Sequence, residues 1–182
     1  MEELERDYLF FMRVLVVSDN HGVTSDIYKI IDRVKPDMIY HLGDGEGSTI
    51  EIKERSRLPM IAVAGNCDWG SATLPKVSVD QIGEHKVMLT HGHLYGVKSG
   101  YERLVAEAKE RGCDVVIYGH THIPELEEVD GVMIMNPGSV EWPKQFDMNK
   151  SFGIINYNKG KMEFAIRYWD NGDILFADQK SL

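Results

Sequence analysis

Between residues 14 and 118 short apolar runs alternate with longer amphipathic stretches. The runs Val14-Leu15-Val16-Val17, Met38 to Leu42, Met60 to Ala64, Lys86 to Thr90 and Asp114 to Tyr118 predict strands. The first is continuous in its hydrophobicity rather than alternating, so it predicts a strand buried on both faces. Thr24 or Ser25 can cap a helix reaching about Val34, with Ile27, Ile30, Ile31 and Val34 on one face and Pro36 beyond its end. A second helix opens at Ser48 or Thr49 and runs to about Arg57. A third runs from about Ser99 to Arg111, turns Leu104, Val105 and Ala108 inward, and stops at Gly112. Val77 to Ile82 reads as an additional strand.

After Tyr118 the pattern becomes strand-rich. Ile123 to Val129, Val132 to Met135, Ser151 to Tyr157, Lys161 to Tyr168 and Ile174 to Ala177 are short strand-like segments. Asp130-Gly131, Asn158-Lys159-Gly160 and Asn171-Gly172 separate them as hairpin turns. Strand-helix alternation followed by hairpins predicts an α/β sandwich with a mixed sheet or two packed sheets, and helices outside.

With 182 residues and 43% hydrophobic content, one compact domain over residues 1–182 is expected. A formal charge of -9 argues against a general nucleic-acid-binding surface, because nonspecific affinity for phosphates comes from Lys and Arg. Two cysteines, Cys67 and Cys113, fit a reducing cytosol better than a disulfide scaffold. No run is long and apolar enough for a membrane span, and the first residues lack the pattern of a secretory signal, so a cytoplasmic location is expected. The apolar block reads from Met12, which makes residues 1–11 a candidate frayed extension. Tyr8 to Phe11 are a candidate homodimer contact.

Each of five predicted strands ends in a short polar motif: Asp19 with His21, Asp44, Asn66, His91, and His120 with His122. Ligand sites in open α/β sheets lie beyond the carboxyl ends of the strands, so these seven side chains are expected to converge. Glycines flank them and permit close backbone approach. If extended geometry persists through Gly119-His120-Thr121-His122, both imidazoles fall on one side, roughly 7 Å apart along the backbone. Carboxylate, amide and imidazole donors without thiolate suit Mn²⁺, Fe²⁺, Ni²⁺ or Zn²⁺. Seven donors exceed the needs of one four-coordinate ion and suit two ions sharing a carboxylate, about 3.5 to 4 Å apart.

The ordered series Asp19-x-His21, Gly43-Asp44, Gly65-Asn66, His91-Gly92-His93 and Gly119-His120-Thr121-His122 resembles the calcineurin-like metallophosphoesterases, in particular their small prokaryotic YfcE-like phosphodiesterase branch. The resemblance runs from about Met12 to the end and includes Asn136-Pro137-Gly138-Ser139. It implies a four-layer αββα sandwich of two mixed sheets with two divalent metals, Mn²⁺ first among them, at the carboxyl edges. It implies that Asp19, His21 and His122 hold one metal, that Asn66, His91 and His120 hold the other, and that Asp44 bridges. A hydroxide between the ions would then hydrolyse a small phosphodiester by in-line attack, with Asn66 and His91 among the catalytic groups.

Many members of the wider family carry His after the Asn, where this chain has Cys67, itself a further catalytic candidate. A thiol replaces imidazolium poorly, so activated diesters are expected to turn over better than alkyl monoesters. His93, Asn136, Gly138 and Ser139 are candidates for lining the substrate pocket or supporting the metal ligands. His41 reads as a buried, hydrogen-bonded histidine, His85 as a turn residue, and Trp69 and Trp142 as packing between loops in preference to a hydrophobic rim over the site. The alternative readings are a protein-binding scaffold, because a eukaryotic retromer subunit shares this fold with altered ligands, and a phosphomonoesterase or phosphoprotein phosphatase.

Overall fold

The computed structural model describes residues 11–69 and 73–181. The first strand, β1 (Phe11–Val17), is followed by α1 (Ser25–Val34), β2 (Met38–His41), α2 (Ser48–Ser56) and β3 (Met60–Ala62). Next come β4 (Val77–Ile82), β5 (His85–Thr90), α3 (Glu102–Glu110) and β6 (Val115–Ile117). The chain ends in β7 (Pro124–Val129), β8 (Val132–Pro137), β9 (Ser151–Asn158), β10 (Lys161–Tyr168) and β11 (Ile174–Ser181). Expectations for residues 1–10, including most of the candidate dimer contact, lie outside the described residues.

Two mixed sheets form. One has six strands in the order β11-β10-β9-β1-β2-β3, and the other five in the order β4-β5-β6-β8-β7. β1, β2 and β3 run parallel, with Val17 opposite His41 and His41 opposite Ala62. β5, β6 and β8 are parallel in the second sheet. The period-2 alternation of strand side chains sorts the core into layers. Val14 and Val16 of β1 meet Val87, Leu89, Val115, Ile117 and Met135 between the sheets. Leu15 and Val17 face Ile27 and Ile30 of α1 and Ile52 of α2. On the far side Met88 and Val116 pack against Leu104, Val105 and Ala108 of α3. The order is helix, sheet, sheet, helix, as the motif resemblance implied.

Several local expectations change. Thr24 is the N-cap of α1, yet its hydroxyl donates to Glu51 Oε1 (3.2 Å) and makes no capping bond. α2 is capped by Gly47, while Ser48 Oγ donates to the Gly45 carbonyl at 2.6 Å. α3 begins at Glu102 rather than Ser99, because residues 93–99 form successive turns. His85 is no turn residue: it starts β5, is fully buried, and sits 2.6 Å from Asp114 Oδ2. Its location follows from strand pairing with Ile82, which turns the ring inward.

Candidate metal centre

The parallel strands end at one edge, and the loops beyond β1, β2, β3, β5 and β6 carry the polar motifs. Strand geometry does not continue through them. β6 ends at Ile117, so alternation does not place His120 and His122; they sit in a tight loop with φ of 70° and 60°. Asp19, His21 and Asp44 also have positive φ, at 56°, 44° and 52°. Side chains other than glycine rarely adopt this region, at a cost of about 1 kcal/mol or more each. Backbone bonds across the edge hold it: Asp19 N–H donates to the Gly43 carbonyl (3.1 Å), and His21 N–H to the Asp44 carbonyl (3.0 Å).

The loops crowd closely. A Cβ on Gly65 would lie 2.0 Å from Asp44 Oδ1, and one on Gly119 would lie 2.0 Å from Ser18 Oγ. Glycine at these two positions lets the Asp44 carboxylate and the Ser18 hydroxyl enter.

All seven predicted donors meet. Asp19 Oδ1 lies 3.1 Å from His122 Nε2 and 3.9 Å from His91 Nε2. His91 Nε2 is also 3.3 Å from Asp44 Oδ2 and 3.2 Å from Asn66 Oδ1. The ring centroids of His21 and His122 are 5.4 Å apart, and those of His91 and His120 are 5.2 Å apart. Asp19, Asp44, His91 and His122 are buried, whereas Asn66 is exposed and His120 half-buried.

Three imidazoles are oriented by their outer nitrogens. His21 Nδ1 contacts Glu46 Oε1 at 2.7 Å, His91 Nδ1 the Leu42 carbonyl at 2.6 Å, and His122 Nδ1 the Trp142 carbonyl at 2.6 Å. His91 Nε2 then faces both aspartates and His122 Nε2 faces Asp19, the outer-partner arrangement that fixes the tautomer of metal-ligating histidines. His21 Nε2 is buried without a hydrogen bond, and Asp19 Oδ1 is buried with only the imidazoles of His122 and His91 beside it among the described residues. Buried polar atoms lacking partners ask for an explanation, and a divalent cation among carboxylate and imidazole donors supplies one. The residues fit the metal class that the sequence pattern implies; Asp19-His21-His122 and Asp19-Asp44-His91 each bring three donor atoms into ligating range.

The electrostatics agree with a site built for cations. Burial pushes the Asp19 carboxyl up, but His122 and His91 outweigh it and leave the group below its ordinary value. Asp44 behaves likewise: burial is overcome by His91 and by the Cys67 N–H, which donates to Asp44 Oδ1 at 2.7 Å. Burial lowers His91, yet Asp44 and Asp19 raise it overall. His120 is pushed down to about 4 by burial and then by the charge of His91. Burial followed by Asp44 pushes the Cys67 thiol up to about 11, far from a reactive thiolate.

Sequence reasoning did not single out Glu46, Asp68 or the Trp142 carbonyl. Asp68 accepts from the N–H groups of Asp44 (2.8 Å), Glu46 (2.7 Å) and Gly65 (2.7 Å), tying the loops after β2 and β3 together. Glu46 and Asp68 each lie two residues beyond a predicted donor, and that adjacency was the available signal. Asn136 Nδ2 donates to the Gly119 carbonyl and Thr121 Oγ1, both at 2.9 Å, and its Oδ1 accepts from Gly138 N–H. Ser139 Oγ donates to the Asp19 carbonyl and accepts from Trp142 N–H, each at 2.9 Å. Gly138 has φ +77°, and a Cβ there would lie 2.1 Å from Ser151 Oγ. These three therefore brace the donor loops.

His93 lies beside His91 and His120, at centroid distances of 5.3 and 6.1 Å. His41 is buried against Asn20 Oδ1 (2.9 Å), as expected. The tryptophans depart from the loop-packing expectation: Trp69 is 90% exposed, and Trp142 stacks on His21 at 4.1 Å while remaining 56% exposed.

A two-sheet sandwich with aspartate, histidine and asparagine donors gathered at the strand ends defines a metallophosphoesterase. Residues 12–160 match the model of the calcineurin-like phosphoesterase superfamily domain, and the chain belongs to that family, for which divalent-metal binding is implied. It is 34% identical over 161 residues to the probable metallophosphoesterase YsnB of Bacillus subtilis, covering 87% of this chain and 91% of YsnB. Phosphodiesterase YfcE of Escherichia coli is 36% identical over 100 residues, 47% of this chain and 46% of YfcE. The YfcE structure superposes with a TM-score of 0.72 at 22% identity, over 92% of this chain and 98% of that one. Vacuolar Protein Sorting 29 of Cryptosporidium parvum shares the fold with a TM-score of 0.80 at 21% identity, over 95% of this chain and 100% of its own. Among the described residues no helix is long and apolar enough to cross a membrane.

Proposed function

We propose that this chain is a phosphodiesterase with a dinuclear metal centre, acting on a small phosphodiester. Asp19, His21 and His122 hold one ion, Asn66, His91 and His120 hold the other, and Asp44 serves both. Mn²⁺ suits this oxygen and nitrogen donor set, with Ni²⁺, Fe²⁺ and Zn²⁺ as substitutes. The observation that carries the reading is the set of three imidazoles held at Nδ1 by Glu46, Leu42 and Trp142 and grouped in ligating range with Asp19 or with Asp19 and Asp44. The reading extends to one catalytic domain over residues 1–182 and to a cytoplasmic setting.

When bound, the ions supply an activated water nucleophile near neutral pH and offset charge on the phosphoryl oxygens. The protein's own residues hold and align. Glu46 and the two carbonyls fix the imidazole tautomers, and Asp68 keeps the loops bearing Asp44 and Asn66 in register. Asn66 and His120, the more accessible donors, face the approach of substrate, with His93 beside them. Cys67 is protonated at neutral pH and is a weak proton donor, so an acidic leaving group that departs without help is favoured.

The test is hydrolysis of a chromogenic diester after metal stripping and readdition of Mn²⁺. Restored activity that Asp44→Ala abolishes supports the reading. No activity with any divalent ion, or full activity in Asp44→Ala, defeats it in favour of a non-catalytic binding scaffold. Equal rates on alkyl monoesters, with Cys67→Ala inactive only toward them, would indicate a phosphomonoesterase instead.

A further inference from the structure

Away from the metal edge, a cleft of about 310 Å³ opens on the outer face of the six-stranded sheet, beyond the end of α1. Three arginines from separate elements line it: Arg13 from β1, Arg33 from the last turn of α1 and Arg167 from β10. The remaining walls are neutral, including Asn156, Asn171 and the apolar edge of Ile154 and Ala165. Among the described residues no carboxylate lines the cleft, although the chain carries 29 acidic residues against 20 basic ones; Glu163 and Asp178 line the adjoining cleft, which shares Asn156, Ala165 and Arg167.

None of the three guanidiniums forms an ion pair among the described residues. Backbone carbonyls and one amide fix them instead. Arg13 donates to Asn156 Oδ1 (2.9 Å) and the Val34 carbonyl (3.1 Å), Arg33 to the Trp169 (2.6 Å) and Asp170 (3.3 Å) carbonyls, and Arg167 to the Gly172 carbonyl (2.7 Å). These bonds use about a third of the roughly fifteen N–H donors that three guanidiniums present. Arg167 Nε is buried without a hydrogen bond among the described residues, which leaves the terminal nitrogens of that guanidinium to meet a ligand. Two carboxylates of the surrounding chain are engaged elsewhere: Asp37 accepts from Arg13 backbone N–H (2.7 Å) and Asp173 from Asn171 Nδ2 (2.9 Å).

We propose that this cleft is a second anion site, separate from the metal centre, that binds the phosphate group of a small molecule. Converging guanidiniums already held by neutral acceptors keep their charge for a ligand and lose little freedom on binding. Three cations match a phosphate dianion better than a single carboxylate, and Arg presents paired donors to its oxygens. Tying carbonyls at the β10–β11 turn accounts for three of the five bonds named, but not for three positive charges in a cleft whose described lining residues include no carboxylate.

Calorimetric titration of the full-length chain with inorganic phosphate and with AMP tests the site. The Asp44→Asn variant serves as the background, which removes the metal-bridging carboxylate. Binding is expected to persist there and to weaken about tenfold or more in Arg33→Gln and Arg167→Gln, the scale of losing a charge-assisted hydrogen bond. In the parent enzyme the same Arg substitutions are expected to leave diester hydrolysis unchanged. Tighter binding of AMP assigns the site to organic phosphates, and tighter binding of phosphate assigns it to the free ion. Should Arg167→Gln lose its melting transition, Arg33→Gln on the exposed helix end carries the test alone. Affinity unchanged in the Arg variants, or no binding at millimolar ligand, overturns the proposal. That result leaves the catalytic reading intact, since diester hydrolysis is scored separately.

Discussion

In the proposed division Asp19, His21 and His122 make one group of donors and Asn66, His91 and His120 another, and the contacts around the first are the more numerous. His21 leans on Glu46 and stacks under Trp142, His122 is fixed by the Trp142 carbonyl, and Asp19 receives Ser18 Oγ (2.5 Å) and His120 N–H (3.1 Å). In the second group, among the described residues, His91 alone has a buried outer partner, while Asn66 is exposed and reaches only His91 and Cys67. Preorganisation lowers the cost of binding, so the two groups should differ in metal affinity even with similar donor chemistry. On the proposed reading the more open group is also the one that substrate approaches.

The largest effect is expected where the groups meet. Asp44→Ala should lower kcat for a chromogenic diester on the order of a thousandfold, because it removes a donor common to both. A loss confined to tenfold would show that one group suffices. His122→Ala should empty the supported group first, so metal analysis should find the Asn66-His91-His120 side still partly loaded; simultaneous loss of all metal would break the division. Glu46→Gln is milder, since it disturbs only the orientation of His21. Chelator competition should show a roughly tenfold fall in affinity, the scale of losing an outer partner.

A smaller effect concerns the scaffold beneath the supported group. Lys150 joins Asp26 of α1 (3.0 Å) to Glu141 (2.8 Å), the residue before Trp142. Burial pushes Asp26 up, but Lys150 and Lys29 outweigh it and hold the carboxyl below its ordinary value of 3.8. A lowered acid pKa adds stability that is present above the ordinary value and fades as pH falls through the folded one. Lys150, for which burial is outweighed by Glu141 and Asp26, is raised above 10.5 and keeps its contribution throughout the neutral range. Lys150→Met should therefore cost about 1 kcal/mol in denaturant unfolding near neutral pH, and less in strong acid. An unchanged difference in acid would remove the ion pair as the cause. The smallest effect is reserved for Cys67→Ala, which should change diester turnover by less than about twofold, against the hundredfold or more expected of a general acid.

Much of the site was readable because strand ends and donor types are local properties. Val14 to Val17 declares a buried strand, and Asp19 and His21 follow it directly; the same logic located Asp44, Asn66 and His91. The αββα order followed from the motif series. The support around the donors was not readable in this way, because it depends on residues far apart in sequence, such as His122 and Trp142. His85 misled for the same reason: beside Gly83 and Glu84 it looks like a turn, and only pairing with Ile82 buries it against Asp114.

The sequence alone determined which strands form and which donors follow them, since hydrophobic runs and turn chemistry act over a few residues. Tertiary structure decided how the donors are aimed. His120 and His122 reach the cluster through left-handed backbone rather than strand alternation, and Asp19, His21 and Asp44 share that conformation. Such geometry is unfavourable for an isolated segment, and it is maintained by bonds between loops that become neighbours only when the sheets assemble.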